Sequence, residues 1–413
     1  MAAVGSKRRK RRQAARGTDA PERQQAVRPK VVAAPAPATI TARDPVAGPP
    51  NTSGNKTSSN KTSSKTWATF ARYALALAIG AAGSLTFVHF KLPLPWFLGA
   101  LTFCLVASVA QLPIERPRPL AIPMRAVLGV AIGSAFTPAL LSRAGSMAWS
   151  LALLVPFMLF VIGLGMIFYE RISKFDRATA FFSAVPGGLT DMTTMAEEAG
   201  AKPRTVILVQ ASRILVIVFA LPLWLQWHDG LNVSQAFATR ARLADLTPLD
   251  ALILFGMGLG GWLGARAIGL AGAPIVGPML VSGLAHALGL TYAKMPQEIL
   301  IIAQISVGTM LGCQFRGLTF SEFMNTCVWG IAYAVVLLVI TAFCAHWVSQ
   351  WTGFDPISVL LGFAPGGQTE LNLLAFVLGL DVAYVALHHL VRLGVVILGA
   401  QLVFKTQKGW RKA

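Results

Sequence analysis

The chain has 413 residues, of which 54% are hydrophobic and 13% are charged, and its formal net charge is +19. Soluble domains carry about 25% charged residues, so this composition excludes an ordinary soluble globular protein. Uninterrupted apolar runs at 151–168 and 326–348 contain no Asp, Glu, Lys or Arg. Each run is close to the roughly 20 residues that a membrane-spanning helix needs. The sequence therefore predicts an all-α polytopic membrane protein.

The N-terminal segment 1–66 is predicted to be a disordered, basic tail. Residues 1–65 hold 14 Lys or Arg against three Asp or Glu, and their Pro/Ala-rich and Ser/Thr-rich stretches show no hydrophobic periodicity. Such a segment buries too little apolar surface to offset the cost of ordering it. Basic clusters beside a first membrane helix are typical of cytoplasmic tails that contact anionic lipid. We favour that partner over nucleic acid.

The rest of the chain divides into two similar halves. In the register that aligns Gly129 with Gly308, "GVAIGSAF" matches "GTMLGCQF" and, without a gap, "VPGGLTDM" matches "APGGQTEL". Upstream, "PWFLGAL" matches "APIVGPM" in a register shifted by one position. Self-similarity of this kind indicates an internal repeat. We predict membrane repeats at 67–227 and 248–404, a polar linker at 228–247 and a basic C-terminal tail at 405–413.

Each repeat is predicted to hold five spanning helices and one interrupted segment. In the first repeat the interrupted segment is 177–200, and the helices lie near 67–90, 95–111, 121–140, 146–170 and 203–227. In the second repeat the interrupted segment is 356–379, and the helices lie near 250–269, 274–290, 298–314, 324–348 and 382–404.

Basic residues favour an inverted relation between the two repeats, because Lys and Arg concentrate in cytoplasmic loops. The loop after the fourth helix has three basic residues at 171–177 in the first repeat and none in the second. Between the second and third helices the second repeat has only Lys294, whereas the first has Arg116, Arg118 and Arg125. Ten crossings then place both termini in the cytoplasm, provided that the interrupted segments re-enter rather than cross.

The interrupted segments, "SAVPGGLTDM" and "GFAPGGQTEL", predict a cavity within the membrane region. Pro lacks an N–H and Gly permits conformations that other residues avoid, so each Pro-Gly-Gly ends a helix. Non-helical backbone survives in a membrane only where protein buries it or water reaches it. The next helix can start at Thr190 or Asp191, residues of the type that caps an N-terminus. Two breaks that meet near the midplane are typical of secondary transporters with inverted repeats.

Fourteen residues in and after the breaks are candidates for solute or ion binding. They are Pro186, Gly187, Gly188, Thr190, Asp191, Gln210, Arg213, Pro365, Gly366, Gly367, Thr369, Glu370, His389 and Arg392. An acid in a membrane segment usually marks an ion or proton route, but helix capping alone is an alternative for Asp191 and Glu370. A structural salt bridge is the alternative for Arg213 and Arg392. His389 could titrate near neutral pH, although a hydrogen-bonded structural role is favoured.

Two further features of the second repeat bear on packing and on the cavity. Gly256, Gly260 and Gly264 recur at four-residue spacing, which predicts a face that allows close helix approach. Gln304 and Gln314 lie in the predicted third helix and are candidates to line the cavity.

The duplicated "VPGGLTDM" and "APGGQTEL", with "PWFLGAL" and "GVAIGSAF", resemble the membrane AbrB family over about residues 68–404. This is a bacterial duplicated membrane domain, distinct from the soluble DNA-binding regulator that shares the name. The resemblance implies a multi-pass protein of the bacterial cytoplasmic (inner) membrane. Members are often labelled as ammonia monooxygenases or described as regulators of gene expression.

We expect a secondary transporter of a small solute, with a proton or sodium as candidate coupling ions and with no cofactor. A membrane-bound regulator of gene expression is the alternative. An ammonia monooxygenase comes third, because a copper or iron site needs clustered His or carboxylate ligands. The six His residues are dispersed apart from one adjacent pair, so we predict that the protein is not an enzyme.

Overall fold

The structure is a computed structural model that describes residues 58–138, 143–228, 241–317 and 320–406. Within these ranges the side chains of residues 58–66, 144, 189–191, 228, 320, 322, 323, 325 and 400–406 lie outside the description. Most of the predicted basic tail, the linker at 229–240 and residues 407–413 of the C-terminal tail also lie outside the described residues.

The described residues form helices and no strand. In the first half the α-helices are α1 (Ser58–His89), α2 (Pro95–Val109), α3 (Ala121–Gly133), α4 (Ala144–Ile167), α5 (Arg177–Ala184), α6 (Leu189–Glu198) and α7 (Pro203–His228). In the second half they are α8 (Pro248–Ala267), α9 (Ala273–Ala287), α10 (Gln297–Gly312), α11 (Phe320–Thr352), α12 (Pro356–Phe363), α13 (Gln368–Leu378) and α14 (Val382–Thr406). α1 begins within the segment predicted as tail.

Seven helices in the described ranges are long and apolar enough to span a membrane: α1, α4, α7, α8, α10, α11 and α14. The all-α polytopic class predicted from the sequence is therefore confirmed. Three of the ten helices predicted to span are shorter. α2 and α9 have 15 residues each and α3 has 13, ending at Gly133 rather than near 140. At 1.5 Å per residue they fall short of a roughly 30 Å hydrocarbon core, and much of their surface is buried against other helices.

The helices pack as two groups. The first, the glycine-packed group, contains α1–α3 and α8–α10, and its crosswise contacts join α3 to α9 and α2 to α10. The second, the broken-helix group, contains α4–α7 and α11–α14, and its crosswise contacts join α7 to α11 and α4 to α14. The main contacts between the two groups are made by α3 with α13 and α14.

Glycines bring the helices of the glycine-packed group together without room for a side chain. A Cβ on Gly99 in α2 would lie 2.7 Å from the Cα of Ser84 in α1, and a Cβ on Gly261 in α8 would lie 2.7 Å from the Cα of Pro278 in α9. Three other glycines of α8 have no neighbouring atom within 4 Å of a Cβ in the described chain; they are Gly256, Gly260 and Gly264. The close approach predicted at this stripe is not seen among the described residues, where α8 packs against α9 through Gly261 instead.

Residues at equivalent positions of the sequence repeat make matching contacts in the two halves. A Cβ on Gly133 in α3 would lie 2.5 Å from the carbonyl oxygen of Met279 in α9. A Cβ on Gly312 in α10 would lie 2.6 Å from the carbonyl oxygen of Leu101 in α2. In the alignment of the two halves Gly312 is the counterpart of Gly133, and Leu101 is the counterpart of Met279. Matching contacts are expected of a duplicated design, and the inverted relation of the repeats stays a prediction.

The turns between the helices also match. In the first half four non-glycine residues have φ between 44° and 58°; they are Lys91, Leu94, Gln111 and Lys174. In the second half the equivalent positions are glycines with φ between 66° and 70°, namely Gly269, Gly272, Gly289 and Gly353. Both halves therefore pass through the left-handed region at the same turns.

Candidate functional site

Each Pro-Gly-Gly break is a short non-helical turn between two short helices. The Gly187 N–H donates to the carbonyl of Val185 at 3.1 Å, and the Gly366 N–H donates to the carbonyl of Ala364 at 2.8 Å. The helices that follow, α6 and α13, have Gly188 and Gly367 as their N-caps in extended backbone. The prediction that α6 starts at Thr190 or Asp191 is wrong by one or two positions, since both lie in its first turn, as Thr369 and Glu370 lie in that of α13.

The glycines at the breaks provide space rather than a left-handed turn. The backbone φ is −64° at Gly188 and −71° at Gly367, angles that any residue adopts. A Cβ on Gly367, however, would overlap the carboxylate oxygen of Glu370. A Cβ on Gly187 would likewise lie 2.6 Å from the Cγ of Met192. The side chains of the first helical turn therefore fold back over the glycines.

In the first half, α7 supplies the hydrogen bonds that the end of α5 lacks. The last four carbonyls of an α-helix have no partner within the helix. The Gln210 amide donates to the carbonyl of Phe182 at 2.7 Å, and Nη1 of Arg213 lies 3.3 Å from the carbonyl oxygen of Ala184. A cation at this position also complements the negative end of the helix dipole. Among the described residues the hydrogen-bond partners of Arg213 are therefore backbone carbonyls.

In the second half, α14 supplies hydrogen bonds to carbonyls at and after the end of α12. Nε2 of His389 donates to the carbonyl of Leu361 at 3.0 Å. Arg392 donates through Nη1 to the carbonyl of Ala364 at 2.6 Å and through Nη2 to the carbonyl of Gly366 at 2.9 Å. In the alignment of the halves His389 and Leu361 are the counterparts of Gln210 and its partner, so these equivalent positions of the predicted repeats make the same kind of hydrogen bond.

Both breaks line one cavity of about 290 Å³ between the two helix groups. From the broken-helix group its polar lining includes Gln368, Thr369, Glu370, His389 and Arg392, together with Gly187, Gly188, Gly366 and Gly367. From the glycine-packed group come Arg116, Arg125, Gly272 and Gln314. The volume is at the low end of the roughly 300–1,000 Å³ typical of small-molecule sites.

Nine of the fourteen candidate residues line this cavity: Pro186, Gly187, Gly188, Gly366, Gly367, Thr369, Glu370, His389 and Arg392. Three candidates are buried outside that lining, namely Gln210, Arg213 and Pro365. The side chains of Thr190 and Asp191 lie outside the described residues. Of the two predicted glutamines, Gln314 lines the cavity, whereas Gln304 is fully buried elsewhere in α10.

Two arginines of the site were not among the candidates. Arg116 lies in the loop between α2 and α3, and Arg125 lies in the second turn of α3. From the sequence, both arginines were interpreted only as basic residues that orient the chain in the membrane. The available signal was that Arg125 falls inside a predicted apolar helix, where a charged side chain usually has a function.

The charged side chains of the cavity form a continuous cluster. The Glu370 carboxylate interacts electrostatically with Arg125 and Arg392. Burial, and after it the positive charges of Arg125 and Arg118, lower the pKa of Arg116 from its usual value. Among the described residues no carboxylate oxygen lies within 4.0 Å of Arg116, Arg125 or Arg392. Within the described part of the chain, the guanidinium groups are therefore only partly compensated.

A second polar cavity, of about 400 Å³, adjoins the first through two shared lining residues, Arg116 and Gln314. Its other lining residues include Glu115, Arg118 and Glu197, which are half-buried or exposed. Polar side chains therefore line the region between the breaks and the α2–α3 loop.

Comparison with known proteins identifies the family. The family model described as "Transition state regulatory protein AbrB" matches residues 96–407. The chain belongs to the AbrB family. It is 25% identical over 355 residues to "Uncharacterized protein YhjN" of Bacillus subtilis (strain 168), covering 78% of this chain and 89% of that protein. It is 23% identical over 337 residues to "Putative regulator AbrB" of Escherichia coli (strain K12), covering 80% of this chain and 93% of that protein.

No three His, Cys, Asp or Glu side chains in the described ranges are grouped so that they could hold a metal ion. His388, the neighbour of His389, faces α4, where its Nε2 lies 2.9 Å from the Ser150 hydroxyl. The adjacent pair of histidines therefore belongs to two different environments.

Proposed function

We propose that this AbrB-family protein is a secondary transporter, a permease, for a small solute in the bacterial cytoplasmic membrane. The observation that supports this most directly is that both Pro-Gly-Gly breaks line one polar cavity. A polar cavity among apolar helices holds water or a polar solute, because unsatisfied polar groups in such surroundings cost several kcal/mol each. Solute sites between discontinuous helices are common in secondary transporters.

The division into two helix groups supports the same function. The cavity takes its lining from both groups, while the most extensive contacts between them are those of α3 with α13 and α14. A transporter works by moving one packed unit relative to another around a fixed site. A movement of one helix group relative to the other would therefore change the access of the solute to a site at their boundary.

Glu370 is our candidate for the residue that couples transport to a proton or sodium. Its side chain lines the cavity and folds over Gly367. Intramembrane carboxylates often bind or release the coupling ion in transporters. Because Glu370 also interacts electrostatically with Arg125 and Arg392, a change in its charge would alter the electrostatic energy of both arginines.

The test is coupled flux in proteoliposomes. Solutes that raise the melting temperature of the purified protein are first selected, and their uptake or efflux is then measured under imposed pH and sodium gradients. We expect gradient-driven flux in the wild type and its loss in Glu370→Gln. The matched control is Glu298→Gln, because Glu298 lies at the start of α10 and accepts only the Leu243 N–H among the described residues. Absence of coupled flux would refute the transporter, and unchanged coupling in Glu370→Gln would refute the role of Glu370.

A second candidate is a membrane-bound regulator of gene expression. The names of the matching family and of the Escherichia coli relative support it. Deletion of residues 1–65 separates the two, since a regulator acting through its basic tail would change transcription while the membrane portion stays folded. A transporter would retain flux after this deletion.

A further inference from the structure

We propose that the cavity between the two breaks binds a small oxyanion, such as a carboxylate, phosphate or sulfate, through Arg116, Arg125 and Arg392. This inference names the substrate class of the proposed transporter and so rests on that function. It draws on three observations: the charge of the lining, the helix ends that meet there, and the buried polar atoms that lack partners.

The described lining carries an excess of positive charge. Arg116, Arg125 and Arg392 face one carboxylate, that of Glu370. None of the three arginines makes an ion pair within 4.0 Å among the described residues. The excess stays positive even if the charge of Asp191, whose side chain is outside the description, is counted in full. Such a lining repels a cationic solute and attracts an anionic one.

Three helix N-termini meet at the same cavity. The N-caps of α6, α9 and α13 are Gly188, Gly272 and Gly367, and all three line it. A glycine N-cap has no side-chain oxygen to accept the free N–H groups of the first turn. At α6 and α13 the glycine cap leaves first-turn N–H groups for a ligand, although the Glu370 N–H is already bonded to the Glu370 carboxylate. In α9 Pro274 has no N–H, and the N–H groups of Ala273, Ile275 and Val276 donate to the carbonyls of Leu270 and Gly272, so this helix contributes only the positive end of its dipole. Free N–H groups and the positive ends of helix dipoles bind phosphate and carboxylate.

Buried polar atoms around the cavity point to a ligand rather than to internal pairing. Three donors are buried without a hydrogen-bond partner among the described residues, namely Nε of Arg116, Nε of Arg125 and the amide nitrogen of Gln368. Two acceptors of the lining, Oε1 of Gln314 and Nδ1 of His389, are likewise without a partner there. Arg392, which is 4% exposed, uses Nη1 and Nη2 for the backbone of the break. These unsatisfied donors match an acceptor-rich oxyanion, since a guanidinium binds carboxylate or phosphate through paired N–H groups.

The alternative is that the arginines are structural and Glu370 neutralises them. That role suits Arg392, which holds the break through two backbone carbonyls. It does not account for Arg125, which lies in the other helix group and has no carboxylate within 4.0 Å among the described residues. Arg125→Gln is therefore the most informative substitution, and Arg116→Gln is a second one outside the helices.

The experiment measures melting temperatures of the purified full-length protein with matched probes. Acetate, succinate, inorganic phosphate and sulfate replace chloride at constant ionic strength. Acetamide and succinamide are the neutral analogues, and ethylammonium is the cationic one. We expect stabilisation by at least one oxyanion and by neither amide nor ammonium. Arg125→Gln should weaken the apparent affinity about tenfold or more, as expected for loss of a hydrogen bond to a charged group. Arg116→Gln should weaken it in the same direction.

The control is Arg266→Gln, because Arg266 is exposed on α8 beside Trp262, away from the cavity. It should retain the full response to the oxyanion. Stabilisation by ethylammonium or an amide, no response to any oxyanion beyond chloride, or an unchanged response in both Arg125→Gln and Arg116→Gln would overturn the inference. Oxyanion binding without flux would refute transport alone, whereas coupled flux of a neutral or cationic solute would refute the oxyanion alone.

Discussion

Each Pro-Gly-Gly break is held by the long helix that follows it. Gln210 and Arg213 of α7 bind the carbonyls at the end of α5, and His389 and Arg392 of α14 bind those around the second break. Several carbonyls at the ends of the short helices thereby gain donors, while the N-caps beyond the breaks, Gly188 and Gly367, line the cavity. The cavity therefore meets the positive N-terminal ends of these helices rather than their negative C-terminal ends.

We predict that Gly367→Ala impairs transport while leaving the fold intact. A methyl group at this position overlaps only the carboxylate end of Glu370, which is flexible and can move. The backbone of Gly367 already has φ −71°, so alanine meets no conformational penalty there. We expect flux to fall at least tenfold with a melting temperature close to that of the wild type.

Gly394→Ala in α14 is the control for this variant, since no atom lies within 4 Å of a Cβ at that position in the described chain. An alanine inside a helix is expected to stabilise by about 0.5–1 kcal/mol. Equal flux in the two variants would contradict the role that we assign to the Glu370 carboxylate.

The chemistry of individual residues was only partly predictable from the sequence. Pro186 and Glu370 stand out because turns and acids are unusual in an apolar segment, and both line the cavity. Arg213 also stands out, yet the fold places it on backbone carbonyls outside the lining. Arg125 belongs to the cavity through tertiary packing of α3 against α13 and α14, which no local sequence pattern contains.

Among the elements, the contact of α8 with α9 shows that close packing in the glycine-packed group depends on glycine at single positions. Gly261 meets the backbone of α9, whereas its neighbour Gly260 meets no atom within 4 Å in the described chain. One helix thus presents a packed face and an open face at consecutive positions. This pair provides a direct test of the packing.

We predict that Gly261→Leu strongly destabilises the protein and that Gly260→Leu does not. The leucine at 261 must push α8 away from Pro278, and overpacking of this kind costs about 1–3 kcal/mol or more. The leucine at 260 extends from the open side. Melting temperatures in detergent should therefore fall for the first variant only, and an equal fall in both would show that the described contact does not hold the helices together.

Helix positions were predictable because apolar runs and prolines mark them. The observed starts of α2 at Pro95 and of α7 at Pro203 coincide with the predicted ones. The end of α3 was predicted too late, although Ser134, Thr137 and Pro138 follow Gly133 and a proline usually marks a helix end at or before the preceding residue. The crosswise contacts that group α1–α3 with α8–α10 depend on the three-dimensional arrangement and leave no local signal.

At the scale of the whole molecule, the two halves are predicted to have opposite orientations in the membrane. Leu112 follows α2 and Leu290 follows α9, at equivalent positions of the two halves, and both side chains are exposed. Because the basic residues after α2 outnumber those after α9, the positive-inside bias places the two turns on opposite sides.

Labelling of single introduced cysteines tests this topology. In a background without the four native cysteines, Leu112→Cys should react with a membrane-impermeant thiol reagent from the cytoplasmic side and Leu290→Cys from the other. Native-like flux or melting behaviour of each variant is the control for folding. Reaction of both cysteines from the same side would contradict the inverted arrangement.

The left-handed turns give the two halves unequal backbone strain. A side chain in the left-handed region costs roughly 1–2 kcal/mol per residue, whereas glycine adopts it freely. The second half has glycine at Gly269, Gly272, Gly289 and Gly353, while the first half has Lys, Leu, Gln and Lys at the matching turns. The first half therefore has a backbone conformational cost at these turns that the surrounding packing must offset. The second half follows the same backbone path with almost no such cost.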